Sequence, residues 1–232
     1  MNWILILIVA IIFSFNSTAS AEERVPTISV SGEGVVEVAP DRATISLGVV
    51  NRDKDAAKVQ ADNSRIANNI IKAVTALGVD KKNIRTGNYS FHQYYRNDNN
   101  RRIADGYEAN NTVTVIVDDL NLVGKIIDAA LANGANNVDS LEFGVRNKNN
   151  LQNDAIRLAV RDARAKAEVV AAELGKKIVG VLSVSVNSGY ISAPRANKMV
   201  MEEMATADAA TPIESGTLTC SASVHVEFEM SK

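Results

Sequence analysis

Residues 28–50 read ISVSGEGVVEVAPDRATISLGVV, and two alternations of apolar and polar residues meet in this stretch at Pro40-Asp41. In the first, Ile28, Val30, Val36 and Val38 share one face, with Gly32 and Gly34 keeping the phase, while Thr27, Ser29, Ser31, Glu33 and Glu37 take the other. In the second, Ala43, Ile45, Leu47 and Val49 oppose Arg42, Thr44, Ser46 and Gly48. A side-chain period of two is the mark of a half-buried strand. Proline has no N–H to give to a ladder, so Pro40 belongs in the corner. The stretch reads as a long hairpin with one apolar face that later segments must cover.

Further along, the spacing predicts a helix from an Asp53 cap to Leu77, closed by Gly78, with a stripe of Val59, Ile66, Ile70, Val74 and Leu77. A second hairpin follows. Its strands run from Ile84 to Tyr95 and from Tyr107 to Val117, and its polar tip spans Arg96 to Arg102. A short helix begins at Asp118 or Asp119, carries Leu120, Val123, Ile127 and Ala130, and stops at Gly134. Leu141, Phe143 and Val145 mark a strand. A long helix, 151–174, is capped by Asn149 or Asn150 and ends at Gly175. Its stripe of Leu151, Ala155, Ala159, Ala163, Ala167, Val170 and Leu174 is small enough for close approach to a sheet or to a neighbouring subunit.

Residues 178–186 predict a strand, and the last strand alternates from Leu218 through Cys220, Ala222, Val224, Val226 and Phe228 to Met230. Between them lies a loop, 187–216, rich in Ala, Met, Pro and Thr. Its segment KMVMEEMA suits a short helix with Met199, Met201 and Met204 near the surface. Half-polar strands and one-sided helices together give an α+β class: a mainly antiparallel sheet with helices on one face, in the order ββαββαβαββ.

The start of the chain is different. An apolar run from Trp3 to Phe15 is shorter than the roughly 20 residues of a bilayer-spanning helix. Ala19-Ser20-Ala21 then supplies a small-x-small cleavage pattern, so residues 1–21 read as a signal peptide and 22–232 as one exported domain. No cysteine follows the run to carry a lipid. The formal charge of −2 argues against nucleic-acid binding, which needs clustered Lys and Arg. The single cysteine leaves no internal disulfide, so the chain must rely on its core or on oligomerisation.

Motifs for chemistry are sparse. Gly32-Glu33-Gly34 lacks the third glycine and the following helix of a dinucleotide loop. His92 and His225 stand alone on polar strand faces, which gives no metal site. Asp41 reads as a turn former, and Asn88 and Asn110 head sequons without further support. Cys220 falls on the apolar face of its strand, where a thiol is structural; only an exposed Cys220 would serve as a redox sensor. Tyr89, Phe91 and Tyr95 share a phase that reads as core packing, with ligand stacking, joined by Tyr94, as the other reading. No catalytic, cofactor-binding or metal-binding residue emerges, and no cofactor.

Five stretches taken in order resemble the SIMPL-domain family. They are ISVSGEGVVEVAPDRATISLGV; IRTGNYSFHQYY with ADGYEANNTVTVIVDDL; LANGANNVDSLEFGV; AIRLAVRDARAKAEVVAAELG; and TPIESGTLTCSASVHVEFEM. The resemblance implies a non-enzymatic protein exported to the bacterial envelope, at the periplasm or outer membrane, that partners itself in ring-like homo-oligomers. It also implies a structural role or protection against oxidative stress. A ligand- or partner-binding module and a sensor built on Cys220 are the alternatives.

Overall fold

In the computed structural model, residues 25–189, 191–192 and 211–232 are described. The expected signal peptide and the segment carrying Met199, Met201 and Met204 lie outside them. Strands β1 (Thr27–Val38) and β2 (Arg42–Asp53) lead into helix α1 (Ala56–Ala76), and β3 (Ile84–Asp98) and β4 (Arg101–Val117) into α2 (Val123–Ala132). Then come β5 (Asn137–Gly144), α3 (Lys148–Glu173), β6 (Ile178–Asn187), the two-residue β7 (Ile191–Ser192) and β8 (Leu218–Met230). The class is α+β with antiparallel pairing throughout, and each sheet is covered by helices on one face.

The expected hairpin does not form. β1 pairs with β8 along its whole length, from Thr27↔Glu229 to Val38↔Leu218, whereas β2 sits between β4 and β5. The chain therefore changes sheets at Ala39-Pro40-Asp41. The corner is held from elsewhere: the Asp41 amide donates to Gly144 O (3.1 Å), and its carboxylate accepts from the Arg146 amide (2.7 Å) and Nε (3.1 Å). Alternation told which side chains face inward; it carries no information about which strand lies alongside.

One sheet, β3-β4-β2-β5, is covered by α1 and α2. Its core holds Ile45, Leu47, Val49, Val113 and Val115 against Ile70, Val74, Val123 and Ile126, all fully buried. Asn63 of α1 is also fully buried, and its Nδ2 donates to Val49 O and Asn51 Oδ1. The other sheet, β1-β8-β6 with β7 added to β8, is covered by α3. There the fit is backbone to backbone. A Cβ on Gly34 would lie 2.6 Å from Ala159 N, and one on Gly32 would lie 2.5 Å from Ala163 N, with the carbonyls of Ala155 and Ala159 closer still. Glycine at these two positions and alanine along α3 let the helix rest on the strand.

The helix caps differ from expectation by a turn or less. Asp55, not Asp53, caps α1 by accepting from Ala57 N and Lys58 N, because Asp53 is still paired to Tyr107 in the ladder. Asn147 caps α3 by accepting from Asn150 N; Asn149 and Asn150 already lie within the helix. The buried stripe of α3 ends at Ala171, leaving Val170 and Leu174 exposed. The steps of four throughout put these side chains in one i±4 ridge along the helix. The hairpin tip is shorter than predicted. Asn99 and Asn100, with φ of 45° and 66°, form the whole turn, while Arg96, Asn97 and Asp98 pair with Ile103, Arg102 and Arg101. Asparagine tolerates this left-handed geometry, the one that two-residue hairpins demand.

Candidate assembly interface

An antiparallel sheet ends in two edges, each a row of backbone groups that water, a side chain or another strand must satisfy. At the β1 edge the Glu33 amide donates to Asp162 Oδ2 (2.8 Å), and Lys166 Nζ donates to Ser31 O (3.2 Å). Asp162 and Lys166 are themselves paired at 2.7 Å, one turn apart on α3. The Lys166 ammonium and then the Glu33 amide hold the Asp162 carboxyl below its ordinary pKa. This i,i+4 pair on the wet face of the helix thus also seals a strand edge.

The β6 edge is unlike it. Val179, Val181, Leu182, Val184 and Val186 are 49–59% exposed, and among the described residues no side chain hydrogen-bonds its outer edge. Irregularities at Ile178/Gly180 and Val181/Ser183 disturb the first half of β6, after which Ser183–Asn187 pair residue by residue with Glu227–Ser223.

The second sheet repeats the contrast. β5 is short, shifts register against β2 at Ser46/Leu47, and carries Asp139 and Glu142. Where it ends, Asn136 takes over the β2 backbone, accepting from Val50 N (3.0 Å) and donating to Val50 O (2.6 Å). β3 is fifteen residues long and leaves Tyr89, Phe91 and Tyr95 39–48% exposed, against the core role predicted for them. Their phase is right, since Phe91 pairs with the buried Ala109, but α1 covers β2 and β4 and does not reach the edge strand. Phe91 stacks on Tyr107 with centroids 5.7 Å apart, and Arg102 lies 4.9 Å over the Tyr95 ring. Tyr94 faces the other way, under the Arg52 guanidinium at 4.0 Å.

Other candidate groups stay apart. Cys220 is fully buried among Val145, Leu151, Ala155, Leu218 and Ala222, and burial pushes its thiol pKa up. That removes the exposure and the thiolate character that a sensor needs. His92 lies 3.6 Å from Glu108 in one sheet, and His225 Nδ1 lies 3.2 Å from Ser31 Oγ in the other. Among the described residues no three His, Cys, Asp or Glu side chains converge to hold a metal, and no helix is long and apolar enough to cross a membrane.

A cavity of about 380 Å³ at the end of the β3-β4-β2-β5 sheet, where β5 leads into α3, is lined by Arg42, Thr44, Glu142, Arg146 and Lys148. Arg42 is paired with Asp118 (2.7 Å) and Arg146 with Asp41. Burial raises the Asp41 pKa, but the Arg146 amide and guanidinium outweigh it, so Asp41 titrates below its usual range. These pairs fix the corner where the chain crosses to the ends of β2, β4 and β5.

Sequence comparison relates the chain to known proteins along most of its length. The chain is 27% identical over 234 residues to the 26 kDa periplasmic immunogenic protein of Brucella melitensis, covering 96% of this chain and 94% of that one. It is 29% identical over 208 residues to the uncharacterised protein YggE of Escherichia coli (88% and 83%), and 27% identical over 218 residues to YggE of Edwardsiella ictaluri (89% and 88%). The profile of the SIMPL family, described as a protein of unknown function (DUF541), matches residues 28–228, and the chain belongs to that family.

Proposed function

We propose that this protein is a non-enzymatic assembly protein of the bacterial periplasm, exported by a leader cleaved after Ala21, that works as a homo-oligomer in a structural or stress-protective role. The observation that supports it is the β6 edge, ten residues long with five exposed apolar side chains. A soluble chain that keeps such an edge needs a partner for it, and identical copies are the commonest partner. The name of the Brucella relative supports the compartment. Light scattering after size exclusion of residues 22–232 tests the reading. A large, discrete species whose mass ignores reductant is expected, since Cys220 is buried; a monomer overturns it.

The exposed stripe of Tyr89, Phe91 and Tyr95 favours a second reading, a binding module for a small molecule or envelope component. Titrating envelope extracts into the protein would then change its tyrosine fluorescence, and an unchanged signal removes this reading.

A further inference from the structure

We infer that the copies join head to tail, the β3 edge of one chain adding as a strand to the β6 edge of the next. This inference rests on the assembly reading and names the surfaces that would perform it. Among the described residues, one edge of each sheet is the more open to pairing. β1 is sealed by Asp162 and Lys166, and β5 is short, irregular and charged. β6 and β3 remain, on different sheets of the same molecule.

Their undisturbed segments match. Along β3, pairing to β4 is regular from Tyr89 to Gln93, and along β6, pairing to β8 is regular from Ser183 to Asn187. Each segment is five residues long. Each puts two exposed apolar side chains on the helix-covered face of its sheet: Tyr89 and Phe91 in one, Val184 and Val186 in the other. Each carries polar residues on the opposite face, Ser90 and His92 in one, Ser183 and Ser185 in the other.

Laid side by side, the two segments satisfy each other's outer backbone groups and bring aromatic rings against β-branched side chains, a favoured cross-strand combination. One kind of contact then closes both open edges. Self-pairing of β6 with β6 would leave the aromatic edge in water and would require a second, different contact to cover it. A contact between unlike surfaces is heterologous, and repeated it closes into a ring or runs on as a filament.

The test uses two variants, Phe91→Lys and Val184→Lys, both at exposed positions, with far-ultraviolet circular dichroism and thermal melts to show that each stays folded. At the concentration at which the parent assembles, each variant alone is expected to be a monomer, because every chain then has one spoiled edge. An equimolar mixture is expected to give a species of two chains and nothing larger, joined through the one intact β3 and the one intact β6. If Phe91→Lys keeps the parent's mass while Val184→Lys does not, β6 pairs with itself and the head-to-tail inference falls while assembly stands. A mixture that stays monomeric also overturns it. A parent that is itself a monomer removes both this inference and the assembly reading.

Discussion

Strands β1 and β6 flank the same central strand, β8, and each carries a well-exposed valine: Val35 is 53% exposed and Val186 49%. They differ in what lies beside their backbones. Helix α3 rests on β1, close enough that Gly32 and Gly34 touch its carbonyls, and from there Asp162 and Lys166 reach over and occupy the edge. β6 lies on the far side of β8 from β1, and only a few of its residues approach α3. How far an edge is covered thus follows the footprint of the helix, and one exposed valine does not reveal it.

Removing the closeness of α3 to β1 is the harshest way to break this contrast. Gly32→Ala would drive a methyl group into the backbone of α3, which cannot move aside as a flexible side chain can. Overpacking typically costs about 1–3 kcal/mol, and the backbone neighbours here place it toward the upper end; urea denaturation would show the loss as a lowered midpoint, and an unchanged midpoint would mean that α3 does not rest on β1.

A pair of lysine substitutions sharpens the contrast without unfolding the chain. Val186→Lys on the open edge is expected to collapse the oligomer mass, while Val35→Lys, equally exposed on the sealed strand, leaves it unchanged. Equal effects would erase the distinction between the two edges.

Smaller effects follow from the seal itself. Asp162→Ala frees the Glu33 amide, whose hydrogen exchange should quicken about fivefold, the order expected of an exposed ion pair. Glu33 exchange that does not change would show that the carboxylate does not protect it. The smallest effect is in pH. The folded Asp162 pKa is depressed, chiefly by Lys166 and then by the Glu33 amide. Its stabilising contribution is therefore fully present above the unfolded value of about 3.9 and is lost as pH falls through the lower folded value. Carboxyl chemical shifts should place the Asp162 midpoint below that ordinary value and move it upward with added salt; a midpoint at or above the ordinary value contradicts the seal.

Much of the architecture was legible before any coordinates. The order of strands and helices, the α1 stripe, the burial of Cys220 and the alternation of β8 all follow from periods of 3.6 and 2. The seal was half legible. Asp162 and Lys166 stand four residues apart on one helix, but their backbone partners, Ser31 and Glu33, lie more than 120 residues away in the chain. A signal for it did exist. Two glycines at i,i+2 on an apolar strand face, together with a helix whose stripe is nearly all alanine, describe two surfaces that fit only each other. The aromatic edge misled for the opposite reason, because Tyr89, Phe91 and Tyr95 share the phase of a buried face that no helix reaches.

The sequence by itself determined which side chains share a face and, to within about a turn, where each helix starts and stops, because periodicity, caps and turn residues act over a few neighbouring positions. Only the tertiary structure decided that β1 leaves β2 for β8, that α3 seals one edge of their sheet and that, among the described residues, no side chain occupies the outer backbone of β6. Strand partners are chosen through backbone groups common to every residue, and coverage depends on how far a helix reaches across a sheet. Neither is written in the order of side chains along one segment.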